Sequence, residues 1–287
     1  MTEHYNILLT GACGGIGSKI AEHFAASGHD LLLSDLNSGP LEKLAGRLIA
    51  AHKTRVDVIA ADLTSGENRN RVVREARVFR VNVLINAAGY NRFGMLENIS
   101  DEDVERIFSI NIISPILLTK ALLPWLTSCE SAHIVNIGST FGSLGYAGFS
   151  CYSASKFSLR GFSEALRREI ADTGVKVHYL APRAVKTAFN EDAVNRMNEA
   201  LGVAMDSPDV IPGAITRMLE RGQSEHFIGS PEKYFVKLNA LFQRLVDRGL
   251  AGQLSTIKQH ARMATGHDNP ADGQDTRPSV ITKEISQ

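Results

Sequence analysis

Short apolar runs alternate with longer amphipathic segments along this chain. Seven of the runs are predicted as strands: Tyr5–Thr10, Asp30–Asp35, Val56–Ala61, Val81–Ala87, His133–Gly138, Val175–Leu180 and a short His226–Gly229. Most of them are continuously apolar rather than alternating, which is typical of a parallel sheet covered on both faces.

Between these runs lie segments with helical periodicity. They are Gly15–Ser27, Gly39–His52, Glu67–Phe79, Asp101–Thr127, Tyr152–Thr173 and Pro208–Arg221. The repeated order of strand, helix and strand implies right-handed crossovers. The pattern therefore predicts an α/β fold, a doubly wound three-layer sandwich with a seven-stranded parallel sheet.

We predict a single domain over residues 1–264. No internal repeat and no Pro/Ser-rich linker divides the chain before residue 260. Residues 231–260 add a C-terminal helical extension to this domain. The polar residues 265–287 are interpreted as a flexible tail.

Charge and cysteine content narrow the function classes. The chain has 31 Lys and Arg against 31 Asp and Glu, which does not favour nucleic acid or an anionic membrane as the main partner. The three cysteines fit neither a disulfide framework nor a zinc site, so we predict no metal. We see no signal peptide and no stretch long and apolar enough to span a bilayer, and we expect a cytoplasmic protein.

A glycine-rich turn, TGACGGIG (residues 10–17), follows the first predicted strand and opens the first helix. Glycines let the backbone turn sharply and approach a pyrophosphate closely. The helix N-terminus then supplies free N–H groups and a positive dipole end. This is a spacing variant of the dinucleotide fingerprint. The predicted cofactor contacts here are Gly11, Cys13, Gly14, Gly15, Ile16 and Gly17.

Asp35 ends the second predicted strand, about where the fingerprint places an acid. A carboxylate there accepts hydrogen bonds from both ribose hydroxyls of NAD. It repels the extra phosphate of NADP, which is usually bound by an Arg or Lys. The positions where a basic residue could bind that phosphate are Gly14 in the glycine-rich turn and Leu36 after Asp35, and neither is basic. The sequence therefore predicts NAD in preference to NADP. A second interpretation is that Asp35 merely starts the turn into the next helix.

Further cofactor contacts are predicted at the carboxyl ends of the third and fourth strands, where an open α/β sheet binds its ligand. Asp62 and Leu63 follow the third strand. Asp62 has a second possible role, alone or in addition, as an N-cap or turn residue. The small residues after the fourth strand let a flat adenosine lie close to the backbone. That set is Asn86, Ala87, Ala88 and Gly89.

Tyr152 and Lys156 stand four residues apart at the start of a predicted helix, so their side chains share one face. A free tyrosine has a pKa near about 10, too high for a good base at neutral pH. An adjacent ammonium is expected to lower that pKa, and the positive nicotinamide ring acts in the same direction. Tyr152 is therefore predicted to remove a proton from an alcohol as hydride leaves its carbon. Both residues are also predicted cofactor contacts.

Two more residues are candidates for the chemistry. Ser139 stands just past the fifth strand, where a hydroxyl can hydrogen-bond a substrate oxygen. Its alternative is a turn-forming serine. Asn111 precedes Pro115 by four residues, and proline has no N–H to donate to the Asn111 carbonyl. That offset predicts a helix kink, with a water on this carbonyl that passes protons from Lys156 to solvent. A plain proline kink is the alternative.

Taken in order, these residues resemble the short-chain dehydrogenase/reductase family in its common single-domain form. The resemblance covers roughly residues 5–230. It is carried by TGACGGIG (10–17), Asp62, NAAG (86–89), Asn111, IVNIGS (134–139), YSASK (152–156) and APRAVKT (181–187).

The resemblance implies a Rossmann-type fold and a role for each catalytic candidate. Tyr152 corresponds to the acid/base, and Lys156 to the residue that lowers the tyrosine pKa and binds ribose. Ser139 corresponds to the oxyanion partner, and Asn111 to the holder of a proton relay. The resemblance also implies a homodimer or homotetramer, formed through the helices that carry Asn111 and Tyr152.

One position departs from the family pattern. The family usually has Pro-Gly after the sixth strand, whereas this chain has Pro182 and Arg183. Val185 and Thr187 still stand where the family holds the nicotinamide carboxamide, so Pro182, Val185 and Thr187 are predicted cofactor contacts. Arg183 is predicted to point to solvent; the alternative is that it anchors an anionic group of the substrate.

Two segments are candidates for the substrate side. Residues 188–207 are predicted to fold over the active site and to contact an apolar ligand or complete the core. Their apolar residues are Phe189, Val194, Met197, Leu201, Val203 and Met205. Residues 231–260 are predicted to form an amphipathic helix, or a pair broken near Gly249–Gly252, packed on its own domain or on a partner subunit. A membrane-surface role or a pocket for a bulky substrate are the alternatives.

The sequence thus predicts an NAD-dependent oxidoreductase that interconverts a secondary alcohol and a ketone. The expected partner is an apolar small molecule, lipid-, steroid- or polyketide-like, without nucleic acid and without membrane contact. Two alternatives remain. An NADPH-dependent 3-oxoacyl-thioester reductase of the same family is disfavoured by Asp35, and a non-catalytic NAD-binding sensor by the presence of Tyr152 and Lys156.

Overall fold

A computed structural model describes residues 4–229 and 232–265 of the chain. Seven strands form one sheet in which every neighbouring pair is parallel, in the order β3-β2-β1-β4-β5-β6-β7. The strands are β1 (Asn6–Thr10), β2 (Asp30–Asp35), β3 (Val56–Ala60), β4 (Val83–Asn86), β5 (Ala132–Ile137), β6 (Val175–Ala181) and β7 (Glu225–Phe227). The predicted doubly wound, seven-stranded parallel sheet is confirmed.

Helices connect these strands and cover both faces of the sheet. They are α1 (Gly15–Ala26), α2 (Ser38–His52), α3 (Gly66–Val78), α4 (Asp101–Phe108), α5 (Ser114–Leu126), α6 (Ser150–Glu169), α7 (Asp192–Ala200), α8 (Val210–Arg221), α9 (Glu232–Ala251) and α10 (Leu254–Thr265). Helix α6 ends four residues earlier than predicted, and α7 lies in a segment for which no helix was predicted.

Alternate residues of the strands face the two helical layers. In β1, Ile7 and Leu9 pack in the cluster formed with α1, α2 and α8. The residue between them, Leu8, packs in the opposite cluster with α3 and α5. All three side chains are fully buried. Burial on both faces explains why the strands are continuously apolar in the sequence.

The strand order reverses between β1 and β4. The chain runs outward from β1 to β2 and β3, then returns to place β4 on the other side of β1. In open α/β sheets the ligand crevice opens at this reversal, at the carboxyl ends of the strands. The glycine-rich turn after β1 and the NAAG segment after β4 therefore meet at this crevice.

The predicted helix Asp101–Thr127 is interrupted rather than simply kinked. Helix α4 is followed by a π-helical turn, Ser109–Ile113, and then by α5. At the end of the turn, the Ser114 N–H donates to the Ser109 carbonyl, five residues back. The distortion next to Pro115 is thus confirmed, but its form is a widened turn, of the kind often found at functional sites.

The expectation that no stretch is long and apolar enough to span a bilayer is wrong for one helix. In the described part of the chain, Asp101–Leu126 passes that test by length and composition. Its residues Leu118, Leu122 and Leu126 are fully buried in the cluster that α5 shares with α3 and the sheet. Since 39% of the apolar window is buried, core packing accounts for part of the apolarity of this stretch.

The C-terminal extension consists of two helices. The break between α9 and α10 at Gly252 and Gln253 confirms the predicted break near Gly249–Gly252. Helix α9 has a further irregularity at Phe242, where the backbone is non-helical (φ −136°, ψ 52°). Helix α10 packs against α7 and buries Ile257 and Ala261. The interpretation of 265–287 as a tail lies outside the described residues, except for Thr265, the last residue of α10. The domain limits stay a prediction.

Candidate active site

The glycine-rich turn is held in a conformation that excludes larger side chains. Gly11 has a positive φ of +66°, and a Cβ on it would lie 2.7 Å from the Ala88 Cα. A Cβ on Gly17 would lie 2.0 Å from the Gly11 carbonyl oxygen. Gly14 is the N-cap of α1 and supplies no side-chain hydrogen bond to the first turn. The turn therefore leaves the helix N-terminus open to an anionic group, and its shape fits a pyrophosphate.

Asp35 links the end of β2 to this turn. One carboxylate oxygen accepts from the Cys13 N–H at 2.8 Å, and the other accepts from the Leu36 N–H at 2.7 Å. The second bond supports the turn interpretation of Asp35, but the residue also lines the crevice. Burial, together with the Asp35 charge, raises the pKa of the Cys13 thiol to about 11. A carboxylate at this position is compatible with ribose binding and with the turn at once.

Asp62 is a turn residue and not an N-cap. Its Oδ1 accepts from the Thr64 N–H at 2.9 Å and from the Thr64 hydroxyl at 2.7 Å. The N-cap of α3 is Ser65, whose hydroxyl accepts from the Asn68 N–H. Asp62 and Leu63 both line the crevice, as predicted for cofactor contacts.

The NAAG segment is fixed by a threonine that sequence reasoning did not single out. The Thr10 hydroxyl accepts from the Ala87 and Ala88 N–H groups at 3.1 and 3.2 Å. Asn86 turns into the sheet, where its amide donates to Asn136 Oδ1 at 2.8 Å. All four residues of the segment line the crevice. The signal for Thr10 is its position as the last residue of β1, directly before the glycine turn.

Tyr152, Ser139 and Lys156 come together where β5 and α6 meet. Ser139 follows β5 and caps a short helical turn, with its hydroxyl accepting from the Phe141 N–H at 3.1 Å. The turn interpretation of Ser139 thus holds locally, and the same side chain also acts to lower the pKa of Tyr152. The Lys156 ammonium lies 5.6 Å from the centre of the Tyr152 ring and donates to the Ile137 carbonyl at 3.0 Å.

The protein groups alone do not activate the tyrosine. Burial raises the pKa of Tyr152 to about 12, against which the hydrogen bond with Ser139 acts in the lowering direction. Burial also lowers the pKa of Lys156 to about 8. Burial of the phenolate is the largest cause of the shift of Tyr152. The prediction that the Lys156 ammonium and the nicotinamide charge act together to lower the tyrosine pKa concerns the cofactor-bound site and stays a prediction.

Asn111 lies in the π-helical turn and is almost fully buried. Its amide nitrogen donates to the Tyr90 carbonyl at 2.8 Å and to the Ser155 hydroxyl at 3.0 Å. Its amide oxygen accepts from the Tyr90 N–H at 2.8 Å. The side chain thus joins the loop after NAAG to α6. A Cβ on Gly89 would lie 3.6 Å from Asn111 Oδ1 and 4.0 Å from the Lys156 ammonium, so both polar groups stand beside one point.

The loop after β6 closes the crevice opposite the glycine turn. Pro182, Val185 and Thr187 line the crevice there. A Cβ on Gly15 would lie 2.6 Å from the Thr187 side chain, so this loop touches the start of α1. The three residues thus lie at the crevice, and their contact with a cofactor stays a prediction.

Arg183 does not point to solvent, contrary to the prediction. It forms a two-pronged ion pair with Asp206, at 2.9 Å from Nε and 2.6 Å from Nη2, and its side chain is 15% exposed. The backbones around Val185 and Asp206 also pair as a short parallel bridge. The arginine therefore joins the loop after β6 to the end of the segment that follows α7.

Beyond Tyr152 the crevice opens into an apolar chamber, and the whole cavity has a volume of about 1410 Å³. Residues from three parts of the chain line this chamber. They are Phe141, Leu144, Tyr146, Phe149, Phe189, Val194, Val203, Val236, Leu238, Leu245, Val246 and Leu250. Both alternatives for the segment 188–207 apply: Phe189 lines the chamber, Met197 is core, and Val194 does both.

The apolar stripe of α9 is only partly covered. Leu238, Val246 and Leu250 line the chamber, which supports the pocket alternative. Leu241, Phe242 and Leu245 are 76%, 58% and 58% exposed, so the expected packing of the whole stripe is wrong for these three residues. The irregular backbone at Phe242 breaks the helical phase there. Phe235 belongs to the predicted amphipathic segment 231–260, and its side chain lies outside the described positions.

A profile of the short chain dehydrogenase family matches residues 5–198. The chain belongs to this family. A curated relative, the putative oxidoreductase SadH of Mycobacterium tuberculosis strain H37Rv, is 32% identical over 263 residues, which is 85% of this chain and 94% of that protein.

Two solved structures extend the comparison. The bulky-bulky ketone specific alcohol dehydrogenase from Comamonas testosteroni has a TM-score of 0.72 and 26% identity, over 86% of this chain and 95% of that chain. A short-chain dehydrogenase from Sphingobium yanoikuyae in complex with NADPH has a TM-score of 0.72 and 28% identity, over 85% and 95%. The protein is thus an oxidoreductase of this family, with alcohol dehydrogenases among its structural neighbours.

In this dehydrogenase, no group of three or more His, Cys, Asp or Glu side chains within residues 4–229 and 232–265 could hold a metal ion. The residues of the crevice instead fit a dinucleotide. The glycine cradle, the open start of α1 and the Asp35 carboxylate follow one another along its wall.

The buried lysine gives this dehydrogenase a predicted pH dependence of stability. Between a folded pKa of about 8 and the ordinary value of 10.5, the unfolded chain binds a proton that the folded chain has released. The free energy of unfolding therefore rises with pH across this window. Relative to a Lys156→Met variant, the cofactor-free protein gains about 3 kcal/mol between the two pH limits. Urea unfolding of both proteins at pH 7.5 and pH 10 measures this gain, and parallel pH curves would contradict it.

Proposed function

We propose that this dehydrogenase interconverts secondary alcohols and ketones, with NAD as cofactor and an apolar substrate. One observation carries the proposal: Tyr152 lines the cavity together with Ser139 and Lys156, where the glycine-turn crevice meets an apolar chamber. The substrate carbon and the hydride acceptor would be brought together at this junction. Tyr152 is then in place to handle the proton.

The proton step follows from the chemistry of these side chains. When bound, NAD⁺ accepts the hydride and adds a positive charge beside the phenol. Tyr152 takes the hydroxyl proton of the alcohol as its carbon loses hydride, and returns it in the reverse reaction. Ser139 hydrogen-bonds the substrate oxygen and so stabilises its developing charge. Lys156 favours the phenolate and holds the ribose. The added positive charge offsets the burial that raises the pKa of Tyr152.

Asn111 is proposed to hold the outward proton relay. The relay water is proposed on its main-chain carbonyl, to which Pro115 has no N–H to donate. The side-chain amide oxygen of Asn111 already accepts from the Tyr90 N–H at 2.8 Å. Asn111 lies in the π-helical turn before Pro115, and this interruption of the helix supports the proposal. We also propose a homodimer or homotetramer through the helices around Asn111 and Tyr152.

The preference for NAD over NADP rests on Asp35. Its carboxylate lines the crevice, and the residue that follows it is Leu36, which carries no charge. The extra phosphate that NADP carries on its ribose would be repelled by this carboxylate, and Leu36 supplies no positive charge to bind it. The chamber supports an apolar substrate, because its walls are mainly aliphatic and aromatic side chains.

Nicotinamide absorbance tests the function directly. Purified protein is assayed with NAD⁺ and NADP⁺ over secondary alcohols of rising size, from small alcohols to long-chain alcohols and sterols. We expect NAD⁺-dependent turnover, with kcat/KM rising with apolar bulk because a larger molecule fills more of the chamber. A preference for small polar alcohols would contradict the substrate assignment.

The same assay separates the alternatives. Turnover only with NADPH and a 3-oxoacyl thioester would establish the reductase alternative and overturn the role given to Asp35. Binding of NADH, seen as a change in its fluorescence, without turnover of any alcohol or ketone would favour the sensor.

A further inference from the structure

Tyr179 is the largest fully buried side chain in the described part of the protein that belongs to no predicted site. It lies in β6, opposite Asn136 in β5, and is 1% exposed. The ring points along the sheet toward the carboxyl end of β5. Its hydroxyl donates to the Ser139 carbonyl at 3.2 Å and accepts from the Ser139 N–H at 3.4 Å. The Lys156 carbonyl, at 3.5 Å, is a second acceptor for the same proton.

These contacts join two residues that come from different parts of the fold. Ser139 follows β5, whereas Lys156 lies in the second turn of α6. Both side chains flank Tyr152. No strand pairing joins the backbone at Ser139 to the backbone at Lys156. Burial raises the pKa of Tyr179 well above its usual range. The hydroxyl therefore stays protonated and can donate a hydrogen bond.

The surroundings of Tyr179 are shaped to admit its ring. A Cβ on Gly138 would lie 2.1 Å from the Tyr179 Cζ, and a Cβ on Gly142 would lie 2.2 Å from its hydroxyl oxygen. Neither glycine has a positive φ. Glycine is therefore required at these positions by the space that the ring takes up and not by the backbone conformation.

We propose that Tyr179 is a positioning residue, whose buried hydroxyl ties the backbone of Ser139 to that of Lys156 and so fixes both side chains relative to Tyr152. The contacts are independent of the reaction, but the catalytic consequence rests on the proposed function. A misplacement of about 1 Å in such a group can cost up to about 100-fold in rate. The hydroxyl of Tyr179 is thus expected to affect turnover although it touches neither substrate nor cofactor.

The test is Tyr179→Phe, which removes only the hydroxyl. We expect kcat to fall about tenfold, while the Kd for NADH, measured by fluorescence, rises by a smaller factor, because Lys156 is only one of the proposed cofactor contacts. The hydrogen bond from Ser139 acts to lower the pKa of Tyr152, so a displaced Ser139 raises it. The rise of kcat/KM with pH for alcohol oxidation should therefore move to higher pH in the variant. An unchanged kcat together with an unmoved pH profile would overturn the proposal. A rise in the Kd for NADH by the same factor as the fall in kcat would also overturn it.

Tyr5→Phe is the matched control, because Tyr5 is another buried tyrosine but lies at the opposite end of the sheet, just before β1. It should leave kcat and the pH profile unchanged. Gly138→Ala tests the fit of the ring independently. It should lower the melting temperature strongly on its own, and less than additively when combined with Tyr179→Ala, which vacates the space. Additive losses would show that the ring does not fill that space.

Crystal structures of the wild type and of Tyr179→Phe give a readout without substrate. The Ser139 hydroxyl or the Lys156 ammonium should move relative to the Tyr152 hydroxyl, and unmoved positions overturn the proposal. If the wild type turns over no alcohol or ketone, the proposed function is wrong. The comparison of the two crystal structures still tests the positioning role of Tyr179.

Discussion

Replacing Tyr152 by phenylalanine should reduce kcat for alcohol oxidation by about 10²–10⁴-fold, the range that general acid–base groups contribute. The substitution keeps the ring and removes the phenolic oxygen that is proposed to exchange a proton with the substrate oxygen. The glycine turn, Asp35 and the loop after β6 are untouched, so the Kd for NADH should change little. Stopped-flow and steady-state absorbance at the nicotinamide band measure the rate, and NADH fluorescence measures binding.

Tyr5→Phe again serves as the control, since it removes a buried hydroxyl far from the crevice. It should retain wild-type kcat. Equal activity of Tyr152→Phe and the wild type would refute the assignment of Tyr152 as acid/base. Loss of NADH binding together with kcat would instead show that the variant disturbs the crevice and does not isolate the proton step.

The second large effect is expected on cofactor choice. In the wild type, kcat/KM should be higher with NAD⁺ than with NADP⁺. In the double variant Asp35→Ser with Leu36→Arg, the carboxylate is gone and a guanidinium is available for the ribose phosphate. A hydrogen bond to a charged group contributes about 1.5–3 kcal/mol, so the ratio of kcat/KM for NAD⁺ over NADP⁺ should fall about 100-fold or more. The serine retains an oxygen that can accept from the Cys13 N–H, which Asp35 does at 2.8 Å.

Asp172→Ser is the matched control, because Asp172 is an exposed carboxylate in the turn before β6. Its cofactor ratio should equal that of the wild type. A wild type that prefers NADP⁺, or a double variant with an unchanged ratio, would show that Asp35 does not select the cofactor.

Most of the candidate site could be predicted because its residues act through their position in regular elements. Tyr152 and Lys156 share a helix face by their spacing, and Ser139 follows a strand that ends at the ligand edge of the sheet. The glycine turn could be placed by its position between a strand and a helix. These are short-range relations, and the chain order preserves them.

Relations between distant segments could not be predicted in the same way. Arg183 was expected in solvent, but Asp206, 23 residues later, comes within 2.6 Å of it. Tyr179 reads as one more apolar strand residue, and only the approach of β5 and α6 gives its hydroxyl the backbone of Ser139 to bind. Thr10 likewise acquires its role from the NAAG segment, more than 70 residues away.

The sequence by itself determined the parallel sheet, its helical layers and the identity of the proposed chemical groups, because hydrophobic periodicity and local spacing depend on nearby residues alone. Only the tertiary structure decided the electrostatic state of those groups and the shape of the substrate chamber. Burial raises the pKa of Tyr152 to about 12 and lowers that of Lys156 to about 8, and burial is the sum of contacts from many elements. The chamber is closed by α9, more than 80 residues beyond Tyr152, and no local pattern fixes which side chains of that helix turn inward.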